Sequence, residues 1–444
     1  MDFTNLRAAY ITLGCKLNYS ETSTIRRSLE DKGVATVDEK EEADIFIINT
    51  CSVTDVAERK GRQLLRKIVK HHPDAFVVVV GCYAQLHAKE LVEMEGVDLV
   101  LGAKDKFKVA QYLEEIDKQP THDVIGGTIG AAIQSRQPHS CDVFSLSDFD
   151  LSCSFGDRTR SFLKIQDGCD YFCSYCTIPF ARGRSRSATI RQVLDAAKEI
   201  VRRDVKEIIL TGVNTGDFGR NSSETFLDLL RALDDIEEVA RIRISSIEPN
   251  LLTDDIISFV AKSERFMPHF HIPLQSGSNK VLKLMKRRYT RELFTDKITT
   301  INAVCPDAFI GVDIIAGMRG ETTSCFDDSL HLVENLTISQ LHVFPYSERQ
   351  GTEALEIKGV VSQAEKHRRV EVLRSISESK LKSFYQRFEG QTRHVLFEGT
   401  SESSKQKQAT ISGFTDNYIR VTVPYSLELT NHIVPVLLTK ECTS

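Results

Sequence analysis

Hydrophobic positions in the first 116 residues come in short dense runs separated by longer mixed ones. AYITL (9–13), DIFIIN (44–49), FVVVV (76–80) and DLVLG (98–102) are apolar blocks of strand length. Blocks that are apolar throughout, rather than at alternate positions, predict strands covered on both faces, as in a parallel sheet. Between them the pattern turns helical: from about Ser20 to Gly33, from Asp55 to His71, briefly after Cys82, and up to about Ile116. Ser20 with Glu21 suits a helix start and Gly33 a stop. Strands alternating with helices predict an α/β domain over 1–120, with a doubly wound parallel sheet.

The pattern lapses over 121–157, where GGTIGAAIQSRQPHS and SLSDFDLSCS are polar and rich in Gly and Ser; a linker is expected there. It resumes over 158–386. SFLKIQ, EIILTG, RIRISS, HFHIPLQ, FIGVDIIAG and LHVFPYS are strand candidates, mostly separated by helices, which predicts a partial (β/α)6 barrel rather than a closed one of eight. A long charged helix fills 363–388. RHVLF, QATISGF, NYIRVTV and HIVPVLL, with polar turns between them, predict a small β-barrel over 387–444.

Composition narrows the classes. With 27% charged and 41% hydrophobic residues the chain reads as globular, and no apolar run approaches the roughly 20 residues a membrane helix needs. The N-terminus lacks the layout of a signal peptide, so a cytoplasmic protein is expected. A net charge of −5 excludes a basic protein that binds nucleic acid with its whole surface; RNA contact would use local patches. Eleven cysteines, an odd number, point in a cytosolic chain to metal or catalytic use rather than disulfides.

Spacing selects three of them. Cys169, Cys173 and Cys176 sit in QDGCDYFCSYCTIP, just after SFLKIQ, where the sites of β/α barrels lie. Three thiolates in one short loop suit three irons of a cubane cluster and leave the fourth iron open to a ligand. Tyr171, Phe172 and Tyr175 between them would shield the sulfurs. Zinc would want a fourth ligand nearby, and no Cys or His follows the loop closely. Further along, Gly212 and Asn214, Ser246 and Glu248, Gln275 and Asp313 fall at the ends of successive expected strands. With Tyr175 they form a candidate cofactor pocket, in which glycine permits close backbone approach.

Cys15, Cys51 and Cys82 share no short motif, yet each follows an expected parallel strand by one or two residues. Ligands of open parallel sheets bind outside such strand ends. Spacing alone leaves two readings open: a second three-thiolate cluster site, or three cysteines buried independently as small hydrophobes. Of the rest, Cys305 and Cys325 read as packing residues, and Cys141, Cys153 and Cys442 as incidental.

The residues around the cysteines carry a resemblance. LGCKLNYSE (13–21), NTCSVT (49–54) and GCYAQ (81–85) resemble the N-terminal domain of the radical-SAM methylthiotransferase family. RSFLKIQDGCDYFCSYCTIPFARGRSRS (160–187) resembles its radical-SAM core, and the segments 271–290, 311–322 and 344–352 agree with it. The C-terminal strands resemble the RNA-binding barrel called TRAM. The resemblance implies two [4Fe–4S] clusters, one on Cys169, Cys173 and Cys176 and an auxiliary one on Cys15, Cys51 and Cys82. It implies S-adenosylmethionine in two roles, radical source and methyl donor, together with an external electron donor and a sulfur donor. It also implies a tRNA anticodon stem-loop as partner.

Three substrates divide the family: isopentenyl-adenosine in tRNA, threonylcarbamoyl-adenosine in tRNA (position 37, beside the anticodon), and an aspartate of ribosomal protein S12. The GCK-x-N-x-x-E start, NTC-x-VT and RGET resemble the threonylcarbamoyl branch most. A non-catalytic iron–sulfur electron carrier is the alternative from another class. Arg182, Arg184, Arg186, Arg287, Arg288 and Arg319 are the candidate RNA or substrate contacts. Arg319, where the family often has proline, is either a partner for the threonyl carboxylate or a solvated surface residue. The basic run 366–369 reads as a solvated helix face. Phe414, Tyr418 and Tyr425 suit base stacking and barrel packing equally.

Overall fold

The computed structural model describes residues 3, 5–118, 139–155, 159–398 and 410–443, so most of the linker expected at 121–157 lies outside the described residues. The chain divides into two compact units. The first comprises Met1–Ser154, Asp167–Asp170 and Cys176–Arg186; the second comprises Phe155–Gln166, Tyr171–Tyr175 and Ser187–Ser444.

In the first unit the order is β1 (Arg7–Thr12), α1 (Lys16–Glu30), β2 (Ala35–Val37), β3 (Ile45–Thr50), α2 (Asp55–His71), β4 (Phe76–Gly81), α3 (Cys82–Leu86), α4 (Ala88–Val92), β5 (Leu99–Leu101) and α5 (Val109–Lys118). The strands pair in parallel in the order β2-β1-β3-β4-β5. Every residue of β3 and β4 is buried, because the apolar run feeds both faces in turn. Ile45, Ile47, Val78 and Val80 pack with Ile25 and Leu29 of α1. Phe46, Ile48, Val77 and Val79 pack with Leu65 and Ile68 of α2 on the other face. Strand β2 was not expected: it is three residues long, at the edge and largely exposed, too short to carry a period.

The expected start of α1 needs correction. The helix begins at Lys16, and Ser20 and Glu21 are buried within it instead of capping it. Ser20 Oγ donates to the Leu17 carbonyl and lies 2.9 Å from Ser152 Oγ of the short strand β6 (Ser152–Cys153).

The second unit opens with β7 (Arg160–Lys164). The chain then passes through the two-residue strand β8 (Gln166–Asp167), the cysteine loop, α6 (Ile178–Arg182) and β9 (Arg186–Ser187). There follow α7 (Ile190–Arg202), β10 (Glu207–Thr211), α8 (Phe226–Asp234), β11 (Arg241–Ile244), α9 (Asp254–Lys262) and β12 (His269–Gln275). After these come α10 (Asn279–Leu284), α11 (Arg291–Val304), β13 (Phe309–Ala316), α12 (Thr323–Asn335) and β14 (Gln340–Pro345). All six expected strands are present. They form two parallel sheets, β7–β10–β11 and β12–β13–β14. Between β11 and the β12 region the described residues form isolated bridges, Ile242 to Phe266 and Ser246 to His271. Thr189, Thr225, Thr253, Thr290 and Thr322 each accept a hydrogen bond from the backbone N–H three residues on, so the same cap opens five helices and sets where each leaves its loop.

Helix α13 (Gln363–Gln386) leads to β15 (Thr392–Phe397), β16 (Thr410–Thr415), β17 (Arg420–Pro424) and β18 (Ile433–Leu437), an antiparallel sheet in the order β17-β16-β15-β18. Two buried arginines of β11 join this sheet to the parallel ones. Arg241 donates to the Phe414 and His394 carbonyls at 3.1 and 2.7 Å. Arg243 donates to the Asp416 and Thr415 carbonyls at 2.8 and 2.7 Å and pairs with Glu207 at 3.0 Å. The basic run 366–369 is a solvated face only in part: His367 and Arg368 are exposed, but Lys366 and Arg369 are buried, and Arg369 pairs with Glu321 at 2.7 Å. Phe414 and Tyr418 stack on each other, with Arg160 over the first ring and Arg243 over the second, and Tyr425 packs on the same core. Of the two readings open for these aromatics, packing is the one the structure bears out.

Candidate active site

Cys15, Cys51 and Cys82 follow three strands that are neighbours in the sheet, β1, β3 and β4. Cys15 caps α1 and is exposed; Cys51 and Cys82 are buried. Gly14, the residue before Cys15, packs directly against Cys51. Gly14 has φ +101°, and a Cβ built there would lie 2.6 Å from Cys51 Cβ and 2.7 Å from Cys51 Sγ. Gly81, before Cys82, has φ +100°, and a Cβ built there would lie 2.4 Å from both Asn49 Oδ1 and the Thr50 carbonyl oxygen. Burial, then the neighbouring Cys82, pushes the Cys51 thiol up to about 12, with Cys15 adding to the shift. Burial likewise raises Cys82, opposed by Arg182 and reinforced by Cys15.

Behind Cys82 stands a buried charge network that sequence reasoning missed. The Arg182 guanidinium, assigned above to RNA, is 2% exposed. Its Nε donates to Cys82 Sγ at 3.2 Å, Nη1 to Glu21 Oε1 and Asp167 Oδ1 at 2.9 Å each, and Nη2 to Asn18 Oδ1 at 2.7 Å. Lys106, also buried, donates to Glu21 Oε1 at 2.6 Å. Burial opposes the Arg182 charge, but Cys82, Glu21 and Asp167 outweigh it and hold the guanidinium well above its ordinary pKa. The signal was in the helix register. Leu17, Ile25 and Leu29 form the buried stripe of α1, and Glu21 falls on it at the same four-residue step.

The cysteine loop itself is divided between the units: Cys169 and Cys176 belong to the first and Cys173 to the second. In the first unit, Cys169 N–H donates to the Gly183 carbonyl at 3.0 Å. In the second, Cys173 is buried and accepts from Arg287 Nη1 at 3.2 Å, while Arg287 Nη2 pairs with Glu248. Burial raises the Cys173 thiol and Arg287 pulls against it; the Glu248 carboxyl is raised by burial in the same way. Ser174 donates to the Leu284 carbonyl at 2.7 Å, and Phe172 takes the left-handed conformation at φ 49°.

Most of the expected pocket residues come together in the second unit. Asn214 N–H donates to Gln166 Oε1 at 2.9 Å, and Gly212 lies so close to that atom that a Cβ would meet it at 2.9 Å. Glu248 N–H donates to Asn214 Oδ1 at 3.4 Å. The Ser246 carbonyl accepts from Thr215 Oγ1 at 2.9 Å. Gln275 closes β12 at φ 61°. Tyr175 packs against the cluster around Met285 and Met318. The Asn214 Nδ2 donor is buried with no partner among the described residues. An amide donor left over beside a buried carboxylate is what a polar ligand would satisfy. Asp313 does not stand alone: His271 Nε2 lies 2.7 Å from its Oδ1, and His342 Nε2 or Nδ1 falls in the same group.

The arginines divide. Besides Arg182, Arg287 is turned inward, with a side chain 4% exposed, and Arg186 is held by Asp167 at 3.6 Å and by the Asp148 carbonyl at 2.9 Å. Each of these charges is matched inside the protein. Arg319 is engaged too: Nε donates to Glu348 at 2.7 Å and Nη1 to the Leu355 carbonyl at 2.6 Å. Its nearest charge is an acid of the chain, so it is neither the solvated arginine nor the open cation that the sequence suggested. Arg184 and Arg288 remain exposed, the former 3.4 Å from Asp170 Oδ1 and the latter over the Tyr171 ring at 4.2 Å.

Two family models match this chain: the uncharacterized protein family UPF0004 over residues 7–102, and the Radical SAM superfamily over residues 163–333. The threonylcarbamoyladenosine tRNA methylthiotransferase MtaB of Bacillus subtilis is 36% identical over 436 residues, covering 97% of this chain and 93% of that protein. A tRNA-2-methylthio-N(6)-dimethylallyladenosine synthase of Clostridium botulinum is 32% identical, covering 89% and 87%. Among solved structures, the radical S-adenosylmethionine methyltransferase TsrM from Kitasatospora setae superposes with a TM-score of 0.57 at 15% identity, over 76% of this chain and 73% of that one, a likeness of fold.

Proposed function

This chain belongs to the tRNA methylthiotransferases of the radical-SAM superfamily, and we propose that it installs a methylthio group at C2 of threonylcarbamoyl-adenosine in the tRNA anticodon loop, as a cytoplasmic enzyme. The observation that carries the substrate is the near full-length similarity to proteins named for that reaction. The donor sets fit the cofactors this requires. Cys169, Cys173 and Cys176 would hold one [4Fe–4S] cluster, and Cys15, Cys51 and Cys82 an auxiliary one. When bound, these clusters and S-adenosylmethionine supply radical generation, the methyl group and the sulfur chemistry, with an external electron donor and a sulfur donor.

The chain's own residues bind and orient. Arg287 holds Cys173 and Glu248 together, so a ligand position and a pocket carboxylate move as one. Asn214 offers its unpaired amide donor into the same pocket. Gly212 keeps the backbone clear of a side chain at the first strand end. The six strands at 158–350 are read as a partial barrel and the C-terminal sheet as a TRAM-like module that carries the RNA, with Arg184 and Arg288 as the exposed cations beside the cysteine loop.

The test is mass spectrometry of digested tRNA after anaerobic incubation with reconstituted enzyme, S-adenosylmethionine and reductant. A methylthio mass gain on the threonylcarbamoyl nucleoside alone is expected. A gain only on the isopentenyl nucleoside would keep the chemistry and replace the substrate. Cleavage of S-adenosylmethionine with neither gain would move the reading to protein S12.

A further inference from the structure

The proposed reaction leaves one buried feature unused: the charge network behind Cys82. All six of its residues, Asn18, Glu21, Cys82, Lys106, Asp167 and Arg182, lie in the first unit. Burying four charges is expensive, and a hydrophobic replacement of the same volume often serves stability as well. Counting Arg186 on Asp167 at 3.6 Å, three cations face two carboxylates here, and Arg182 has Glu21 and Asp167 as counter-charges without the sulfur. Yet the fork is aimed so that Nη1 and Nη2 serve Glu21, Asp167 and Asn18 while Nε–H, the remaining donor direction, meets Cys82 Sγ at 3.2 Å. A neutral thiol is a weak acceptor and has little use for a guanidinium; an iron-bound thiolate is a better one. Hydrogen bonds to the sulfurs and net local charge are among the levers that set the potential of an iron–sulfur cluster.

We propose that Arg182 is the positioning residue of the auxiliary cluster: its N–H bond to the Cys82 sulfur, locked by Glu21, Asp167 and Asn18, fixes that ligand's orientation and raises the cluster's reduction potential. The proposal rests on the two-cluster reading above. A positive charge and a donor at the sulfur stabilise the reduced, more negative cluster, so their removal lowers the potential. Lysine keeps the charge but lacks the planar fork, and recovers only part of the effect.

The experiment uses the full-length chain reconstituted anaerobically: wild type, Arg182→Lys, and the pair Arg182→Met with Glu21→Gln, which removes opposite charges together so that neither is left buried alone. Iron and sulfide content is measured first, followed by an EPR-monitored redox titration that resolves the two clusters. The expected result is a lower auxiliary potential in the paired variant, an intermediate one in Arg182→Lys, and an unmoved radical-SAM cluster. Wild-type potentials in a variant with full iron content overturn the proposal. So does an Arg182→Lys protein that folds and titrates like wild type while the paired variant unfolds, because the role is then structural. A wild-type chain that takes up only one cluster overturns the two-cluster reading, and the proposal with it.

Discussion

At Gly14, beside Cys15, a single hydrogen atom stands where a side chain would meet Cys51. Gly14 adopts a φ that costs an L-residue about 1–2 kcal/mol, and a methyl group there would collide with the Cys51 side chain itself. Replacing Gly14 with Ala is therefore expected to spare the radical-SAM cluster and empty the auxiliary site. Iron analysis would then fall to about half, with reductive cleavage of S-adenosylmethionine retained; wild-type iron content would count against the convergence of these cysteines. Arg182 teaches the converse at this scale. Its segment, RGRSR, reads as a basic patch, and only Arg184 of the three stays at the surface. What drew Arg182 inward is Glu21, an acid more than a hundred and fifty positions away, so no local window contains the reason.

Elements were the most legible level. Apolar blocks marked β1, β3, β4 and the six strands of the second unit, and in β3 and β4 burial on both faces leaves few polar positions. The threonine caps show how helices were stopped and started, and they were readable in principle at a fixed spacing of three. Strand β11 was misleading in one respect: its arginines look like solvent-facing positions and instead tie the C-terminal sheet to the parallel strands. Arg393 adds a second tie, donating to both Asp416 oxygens at 2.9 and 2.7 Å and to Asp307 at 2.9 Å. Burial alone would raise the Asp416 carboxyl, but Arg393 outweighs it and holds it below its ordinary value. A depressed folded pKa contributes stability that is present above the unfolded value, about 4, and is lost as pH falls through the folded one. Thermal unfolding of Asp416→Asn against wild type should thus show a deficit at pH 7 that closes on acidification below about pH 4. A deficit independent of pH would assign the effect to packing.

At the scale of the molecule the open matter is how an acidic protein takes hold of RNA. With a net charge of −5 the proposed tRNA contact would rest on local exposed cations, Arg184 and Arg288 among them. Arg184→Ala and Arg288→Ala are each expected to weaken tRNA binding and to reduce the slope of log K against log salt by about 1, with the fold and iron content unchanged. An unaltered salt slope in both would send the RNA to another face. The sequence by itself determined the family: three cysteines in one short loop behind an apolar strand, and a resemblance spread along nearly the whole chain. Those are local facts, since strand blocks, Gly-Cys turns and loop spacing depend on near neighbours. Only the tertiary structure decided which charges belong to the interior. Arg182, Arg186 and Arg287 are indistinguishable from Arg184 and Arg288 in a linear reading. A buried ion pair forms between partners that the fold brings together from far apart, and the cost of leaving either one alone in the interior enforces the match.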